Sequence, residues 1–354
     1  MGGLAVLELS WERYPAVSSL ALTRSWLQMQ AELQLAPKTL DAYARSLEDY
    51  LAFCSRCSVE PERATQEHIA SWVRDLATRP AQPGTRRRGH EAGAGLSNAT
   101  MQLRLTAVRL FYDYLVHKEL RATNPVGRGT YTPGRGFGGS RERALIPRYQ
   151  KLPWIPSDHE WRRVLLSLAD EPLRNRVMLL LAYEGALRRE EVVSLAVGDI
   201  DPAHRQVNIR AETTKGRRGR VVFYSRHTGS LLGAYLHRRR SLSAEPGPVF
   251  LSESRRNRAR PLSTRMWSLI VERLAERAGV PGFSTHTPRH LRLTHMARAG
   301  MELHEIARYA GHSSTQTTML YIHLGGRDLA QSVARSMADV DRWISEFVRG
   351  SDDG

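Results

Sequence analysis

Cysteine is nearly absent from this 354-residue chain: Cys54 and Cys57 are its only two. That excludes a disulfide scaffold. Their Cys-Ser-Arg-Cys spacing raises zinc and redox chemistry, and both readings fail on context. A zinc site wants two further ligands at suitable spacing, and no second cysteine pair exists. A redox motif wants a strand before it, whereas Leu40 to Phe53 reads as helix, so the pair reads as two small residues at a helix end. Long apolar runs are also missing. No stretch approaches about 18 consecutive apolar residues, so no spanning helix is expected. Met1 to Ser10 lacks the basic start and apolar core of a secretion signal. The expected compartment is the cytoplasm.

Lysine is scarce as well. Only Lys38, Lys118, Lys151 and Lys215 occur, against 48 arginines. With 36 acidic residues the formal net charge is +16, which points to a polyanionic partner, nucleic acid ahead of an acidic membrane. Hydrophobic residues make up 41% of the chain, enough to build cores. The length allows two domains, since single cores stop growing at roughly 250–300 residues.

The first third reads as helices. Leu20, Leu22, Trp26, Leu27 and Leu33 fall near helical spacing. Pro37 suits the first turn of a second helix, lined by Tyr43, Leu47, Tyr50 and Leu51. Thr65 can cap a third that runs to Ala77, with Ile69, Trp72, Val73 and Leu76 inward. Ser97 can cap a fourth, with the stripe Leu103, Val108, Leu110, Phe111 and Leu115. Arg79 to Gly95, carrying Arg86, Arg87 and Arg88, reads as an exposed basic loop. Arg121 to Pro156 is rich in Gly, Pro and Arg and marks the domain boundary. The division expected is an extension over 1–17, a helical domain over 18–125, a basic linker over 126–152 and a second domain over 153–348.

That second domain reads as mixed. Helices are expected at Asp158 to Leu168, Leu173 to Tyr183, Ser263 to Ala278, Pro288 to Ala299, Leu303 to Ala310 and Asp328 to Val348. Gln206 to Arg210 and Arg220 to Tyr224 form a hairpin whose basic tip holds Lys215, Arg217 and Arg218. Val249 to Leu251 is a further short strand. The fold class is mainly α with a small β-sheet, α+β.

Four segments carry chemistry: Leu187-Arg188-Arg189-Glu190-Glu191, Lys215, His286-Thr287-Pro288-Arg289-His290, and Gly311-His312 leading to Tyr321. Arg188 and Glu191 share a helix face at three-residue spacing, and so do His286 and Arg289. Pro288 belongs in a first turn, which sets His286 near a helix N-terminus that favours an anion. Two arginines, histidine and lysine donors and a tyrosine make a phosphate-handling set. No acidic cluster accompanies them to hold Mg²⁺, and no metal or other cofactor is expected. For any one pair taken alone, a surface ion pair or a satisfied histidine is the readier reading.

Taken in order, these segments resemble the tyrosine recombinase (phage integrase) family. That family shows Leu-Arg-x-x-Glu, a hairpin lysine, His-x-x-Arg, and Gly-His ahead of a tyrosine. Asp199-Ile200-Asp201 and Asn124-Pro125 fit too, and the likeness covers roughly Leu20 to Phe347. It implies an N-terminal helical core-binding (SAM-like) domain and a catalytic domain that clamp opposite faces of double-stranded DNA. The implied enzyme is a site-specific recombinase, a metal- and ATP-independent strand transferase. Tyr321 would attack the scissile phosphate and become linked to the DNA 3′ phosphate. Arg188 and Arg289 would grip non-bridging oxygens, and Lys215 would protonate the leaving 5′ oxygen. His286 would assist proton transfer at the nucleophile and His312 would hydrogen-bond the phosphate, with Glu191 orienting the site.

Lys215 is also the only lysine after Leu152. Arginine grips phosphate as well as lysine does but is a poor proton donor, so a lone lysine there fits a general acid. The resemblance further implies a homotetramer on two sites, with room for a paralogous recombinase or accessory protein. The last helix, carrying Leu329, Val333 and Trp343, docks either on a neighbour or on its own domain. Pro288 and Leu291 stand where the family more often has Leu and Thr. Few residues precede the helical domain, so a simple Xer-like or transposon-type architecture without a separate arm-binding domain is expected. The competing readings are a DNA-binding protein on this fold that no longer cuts, and a type IB topoisomerase or telomere resolvase.

Overall fold

The computed structural model describes residues 10–80, 95–126, 146, 153–214, 216–312 and 315–325. The chain forms two compact units that divide between Gln150 and Lys151.

The first unit is helical: α1 (Pro15–Ser19), α2 (Ala21–Glu32), α3 (Pro37–Arg56), α4 (Gln66–Thr78) and α5 (Asn98–His117). Proline opens α1 and α3, where its missing N–H costs nothing. Ser97 Oγ accepts the Thr100 N–H at 3.3 Å to start α5. At the start of α4 the Thr65 N–H is donated to His68 Nδ1 at 3.0 Å. Trp26, Leu47, Tyr50, Trp72, Phe111 and Tyr112 fill the core. The only polar contact among these side chains is the 2.6 Å hydrogen bond between the Tyr50 and Tyr112 hydroxyls. Cys54 is buried in α3 and Cys57 ends it; both are free thiols.

Two leucines depart from the expected stripes. Leu33 is 69% exposed because it stands at the end of α2. Leu103 is 45% exposed because α5 buries Met101, Leu105, Val108, Tyr112 and Leu115, a face that rotates past it.

The second unit begins with α6 (Asp158–Ala169), α7 (Leu173–Glu184) and α8 (Arg189–Val193). Ser157 and Glu160 cap α6 reciprocally, Ser157 N–H to Glu160 Oε2 at 2.7 Å and Glu160 N–H to Ser157 Oγ at 3.3 Å. A three-stranded antiparallel sheet follows, β1 (Ile200–Asp201), β2 (Gln206–Ile209) and β3 (Arg220–Phe223), in the order β1-β2-β3. Gln206 pairs with Phe223 and Ile209 with Arg220, which fixes the hairpin register. Then come α9 (Arg226–Arg240), α10 (Thr264–Arg277), α11 (Thr287–Arg298), α12 (Leu303–Ala310) and α13 (Thr315–Gly325). Val177, Met178, Leu181, Phe250, Trp267, Phe283 and Leu291 lie in the main core. The architecture is mainly α with a small sheet.

Three elements of this unit differ from expectation. Val249 to Leu251 is not a sheet strand. Pro248 before it and Leu251 at its end form isolated bridges, to Ala196 and Pro261, that do not extend into a ladder, and Val249 and Phe250 serve the core. The third strand is β1 instead. Helix α9 is hidden in sequence by two glycines and a run of cations. It buries Thr228, Leu232, Tyr235 and Arg239, and Arg239 belongs inside because it donates to the carbonyls of Pro248, Ser243 and Glu245 at 2.9–3.1 Å. Helix α13, which carries Tyr321, was not expected as a helix at all. The helix expected at Asp328 to Val348 lies outside the described residues.

Candidate active site

The turn from α7 into α8 sets up the first half of the site. Ala186 adopts a left-handed backbone, φ 47°, uncommon for a residue with a Cβ. Leu187 is buried after it, and Arg188 caps α8. Glu191, one turn into α8, accepts the Arg188 backbone N–H at Oε2 (2.8 Å) and Arg188 Nη1 at Oε1 (2.9 Å). Arg220, the first residue of β3, donates to the same carboxylate with both terminal nitrogens, at 3.1 and 2.7 Å. Glu191 is 1% exposed. Burial alone would raise its pKa, but Arg220 and Arg188 hold it down to about 2.

The second half comes from α11 to α13. His286 precedes α11 and Pro288 lies in its first turn. Arg289 is buried, and its guanidinium donates to the Ala186 carbonyl and the Ala310 carbonyl, both at 2.6 Å. Burial and the charge of Arg188 press its pKa down. Helix α12 ends in Gly311 with φ 62°. The Gly311 N–H reaches the Arg308 carbonyl (3.1 Å) and the His312 N–H the Ala307 carbonyl (3.0 Å), a Schellman ending. A Cβ at Gly311 would lie 3.1 Å from Arg220 Nη1, and the Gly311 carbonyl accepts Arg188 Nη2 at 3.3 Å. Gly311 alone therefore touches two of the arginines, and Ala310 before it holds the third.

His312 bonds through Nδ1 to Thr318 Oγ1 at 2.8 Å, and its ring stacks on Tyr321 with centroids 6.1 Å apart. Burial and the charges of Arg289, Arg188 and Arg220 lower its pKa to about 3. Tyr321 is 3% exposed, in a small core with Ala186, Leu293, Met296, Ile306 and Ala310. Burial raises its pKa, and Arg289 and Arg188 act against that rise. Its hydroxyl lies 2.7 Å from His290 Nδ1.

The structure thus gathers Arg188, Glu191, Arg289, His312 and Tyr321 in one place: Arg188 is bonded to Glu191, Arg188 and Arg289 to the neighbouring carbonyls of Gly311 and Ala310, and His312 is stacked on Tyr321. His286 stands at the solvent side of this group, with its ring centroid 6.4 Å from that of His290. Surrounding protein and the Arg189, Arg289 and Arg188 charges lower its pKa, while the side chain itself stays exposed. Arg217 and Arg218 are exposed in the β2–β3 tip, where the Arg218 N–H donates to Thr214 Oγ1 at 3.0 Å. Lys215, Arg86, Arg87 and Arg88 lie outside the described residues.

Sequence reasoning missed Arg220 and His290. Arg220 closes a run of arginines and has no local mark of its own; only the register opposite Ile209 turns it to Glu191. His290 sits inside a quoted segment, one turn after His286, and that i,i+4 spacing is the signal that could have found it. Chemically, two guanidinium groups, a phenol and two imidazoles held neutral can receive a phosphate ester and attack it.

Residues 158–326 match the family model described as "Phage integrase family", and residues 24–119 that described as "Phage integrase, N-terminal SAM-like domain". The tyrosine recombinase XerC of Actinobacillus pleuropneumoniae serotype 7 (strain AP76) is 26% identical over 309 residues, covering 86% of this chain and 90% of that protein. XerC of Shigella dysenteriae serotype 1 (strain Sd197) is 29% identical over 308 residues, covering 85% and 91%. The fold is shared with the XerH site-specific recombinase bound to palindromic difH substrate, a post-cleavage complex. The TM-score there is 0.64 at 16% identity, covering 94% of this chain and 91% of that one. The Tn1549 transposon integrase in complex with transposon right end DNA gives 0.62 at 14% identity, covering 90% and 99%.

Proposed function

Because the chain belongs to the tyrosine recombinase (phage integrase) family and is a site-specific DNA recombinase, we propose that it cuts and rejoins DNA through a 3′-phosphotyrosine link to Tyr321. The observation that carries this assignment is the burial of the Tyr321 phenol beside the paired arginines Arg188 and Arg289. A phenol with an ordinary pKa near ~10 attacks poorly until its proton leaves.

In this scheme the Tyr321 oxygen bonds to the scissile phosphorus and the bond to the 5′ oxygen breaks. Arg188 and Arg289 grip the non-bridging oxygens, where guanidinium forks stabilise the charge added in the transition state. His312 hydrogen-bonds the phosphate. His286 assists proton transfer at the nucleophile, and Lys215 gives its proton to the leaving 5′ oxygen. Glu191 holds Arg188 in place. The bond energy stays in the phosphotyrosine, so a 5′ hydroxyl from another duplex reverses the step without ATP, and no metal or cofactor enters the scheme.

Arg217, Arg218 and the Arg86–Arg87–Arg88 run add phosphate contacts along double-stranded DNA. The domain bounds expected from sequence, 18–125 and 153–348 about a linker, serve as the working division. Assembly is as a homotetramer on two sites, and the working compartment is the bacterial cytoplasm, where such DNA resides. Among the described residues no helix is long and apolar enough to cross a membrane.

The test is a nicked suicide substrate built from the DNA flanking the gene. Wild-type protein is expected to form an SDS-stable protein–DNA adduct, and Tyr321→Phe to bind without forming one. Wild-type protein that binds and leaves no adduct would overturn the cutting scheme in favour of a binding-only protein.

A further inference from the structure

The proton that Tyr321 must lose has one described acceptor within reach. Tyr321 Oη is 2.7 Å from His290 Nδ1, and the two rings stack with centroids 5.8 Å apart. The other imidazole stacked with the phenol, His312, has its Nδ1 engaged by Thr318. No described hydrogen bond joins His286 to Tyr321. His290 is fixed by the helix that also fixes Arg289: its N–H is donated to the His286 carbonyl at 3.1 Å and its carbonyl accepts Thr294 Oγ1 at 3.0 Å.

The direction of the hydrogen bond decides what it can do. A protonated imidazole would donate to the phenol and occupy the lone pair that has to attack. A neutral one, with its proton on Nε2, accepts from the phenol and leaves that lone pair free. Burial, His286 and Arg289 all disfavour the cation at His290 and lower its pKa to about 4, so the accepting form is the resting one.

Resting on the cutting scheme above, we propose that His290 is a catalytic residue that takes the Tyr321 proton on Nδ1 as the phenol attacks. The Oη–H bond breaks as Oη–P forms, the O–H electron pair stays on Oη, and the proton passes to Nδ1. The P–O5′ bond breaks with its electrons on the 5′ oxygen, which takes its proton from Lys215 in the scheme above. The phenol becomes strongly acidic as it bonds to phosphorus, so the transfer accompanies attack. When the 5′ hydroxyl returns, the same imidazolium gives the proton back to the departing phenolate. His286, exposed at the start of α11, then sits between His290 and solvent.

The test measures the rate of adduct formation on the nicked substrate, with a gel shift on the same DNA to show that each variant is folded. Asparagine can accept a hydrogen bond near the Nδ1 position but cannot take a proton. His290→Asn and His290→Ala are therefore both expected to slow cleavage on the order of 10²–10⁴-fold, with DNA affinity retained. His290→Gln replaces the asparagine variant should that one fail to bind. A substrate with sulfur in place of the bridging 5′ oxygen needs no proton on its leaving group. It should restore Lys215→Ala and leave His290→Asn slow. Cleavage by His290→Asn at the wild-type rate, or its rescue by the sulfur substrate, overturns the role of His290. Loss of the adduct in wild-type protein would instead overturn the cutting scheme beneath it.

Discussion

Glu191 faces two arginines with one carboxylate, and all three side chains are largely or wholly withdrawn from water. Replacing it with glutamine keeps the shape and removes the charge, leaving two close guanidinium groups uncompensated. Breaking a buried pair from one side costs about 3–5 kcal/mol, so Glu191→Gln should lower the urea midpoint and slow cleavage by loosening Arg188. The sign with pH follows from a folded pKa of about 2 against an ordinary 4.5. The stabilisation is complete above 4.5 and disappears as pH falls toward 2. Wild type and variant should therefore differ near neutrality and converge in acid; equal midpoints at pH 7 would refute this account. Arg188 with Glu191, and His286 with Arg289, were legible because a three-residue spacing marks each pair on its own helix. Arg220 and His290 were not, since one depends on strand register and the other on which way α11 turns toward α13.

At the scale of elements, α13 packs on α11 and α12 of its own chain and carries the phenol into the pocket that holds Arg289. The nucleophile is thus expected to serve its own chain's arginines. Mixing Tyr321→Phe with Arg289→Ala on the suicide substrate should then yield no adduct, because neither protein holds a complete site. An adduct well above the background of each variant alone would show that the tyrosine is supplied between chains. Most helices could be read from their apolar period and caps, as Ser97 and Ser157 illustrate. α9 could not, because glycines and arginines dilute its period while Arg239 hides among carbonyls. Val249 to Leu251 misled for the opposite reason: β-type residues were used for core packing, without a sheet partner.

For the whole molecule, the surplus of +16 predicts DNA binding that weakens steeply with salt, by about 0.9 log unit per log unit of salt for each phosphate neutralised. Replacing Arg217 and Arg218 together by alanine should reduce that slope by about 1.8 if each meets one phosphate. A slope unchanged within error in a filter-binding salt titration would remove both from the interface. The charge total was plain in the sequence. Its division between general grip and the reacting centre was not, because composition does not tell an arginine held by carbonyls from one held by water.

That holding of Arg289 has a thermodynamic consequence. The Ala186 and Ala310 carbonyls that support its guanidinium are dipoles and cancel no charge. Arg188 shares its nearby anion with Arg220. Arg188, Arg220 and Arg289 thus lie around one carboxylate, Glu191, and a bound phosphodiester adds negative charge to that excess of cations. Folding and target occupancy become linked equilibria, worth about 2.7 kcal/mol at a hundredfold excess of DNA over its dissociation constant. Such a protein is expected to resist unfolding and proteolysis better while seated on DNA than once released from it.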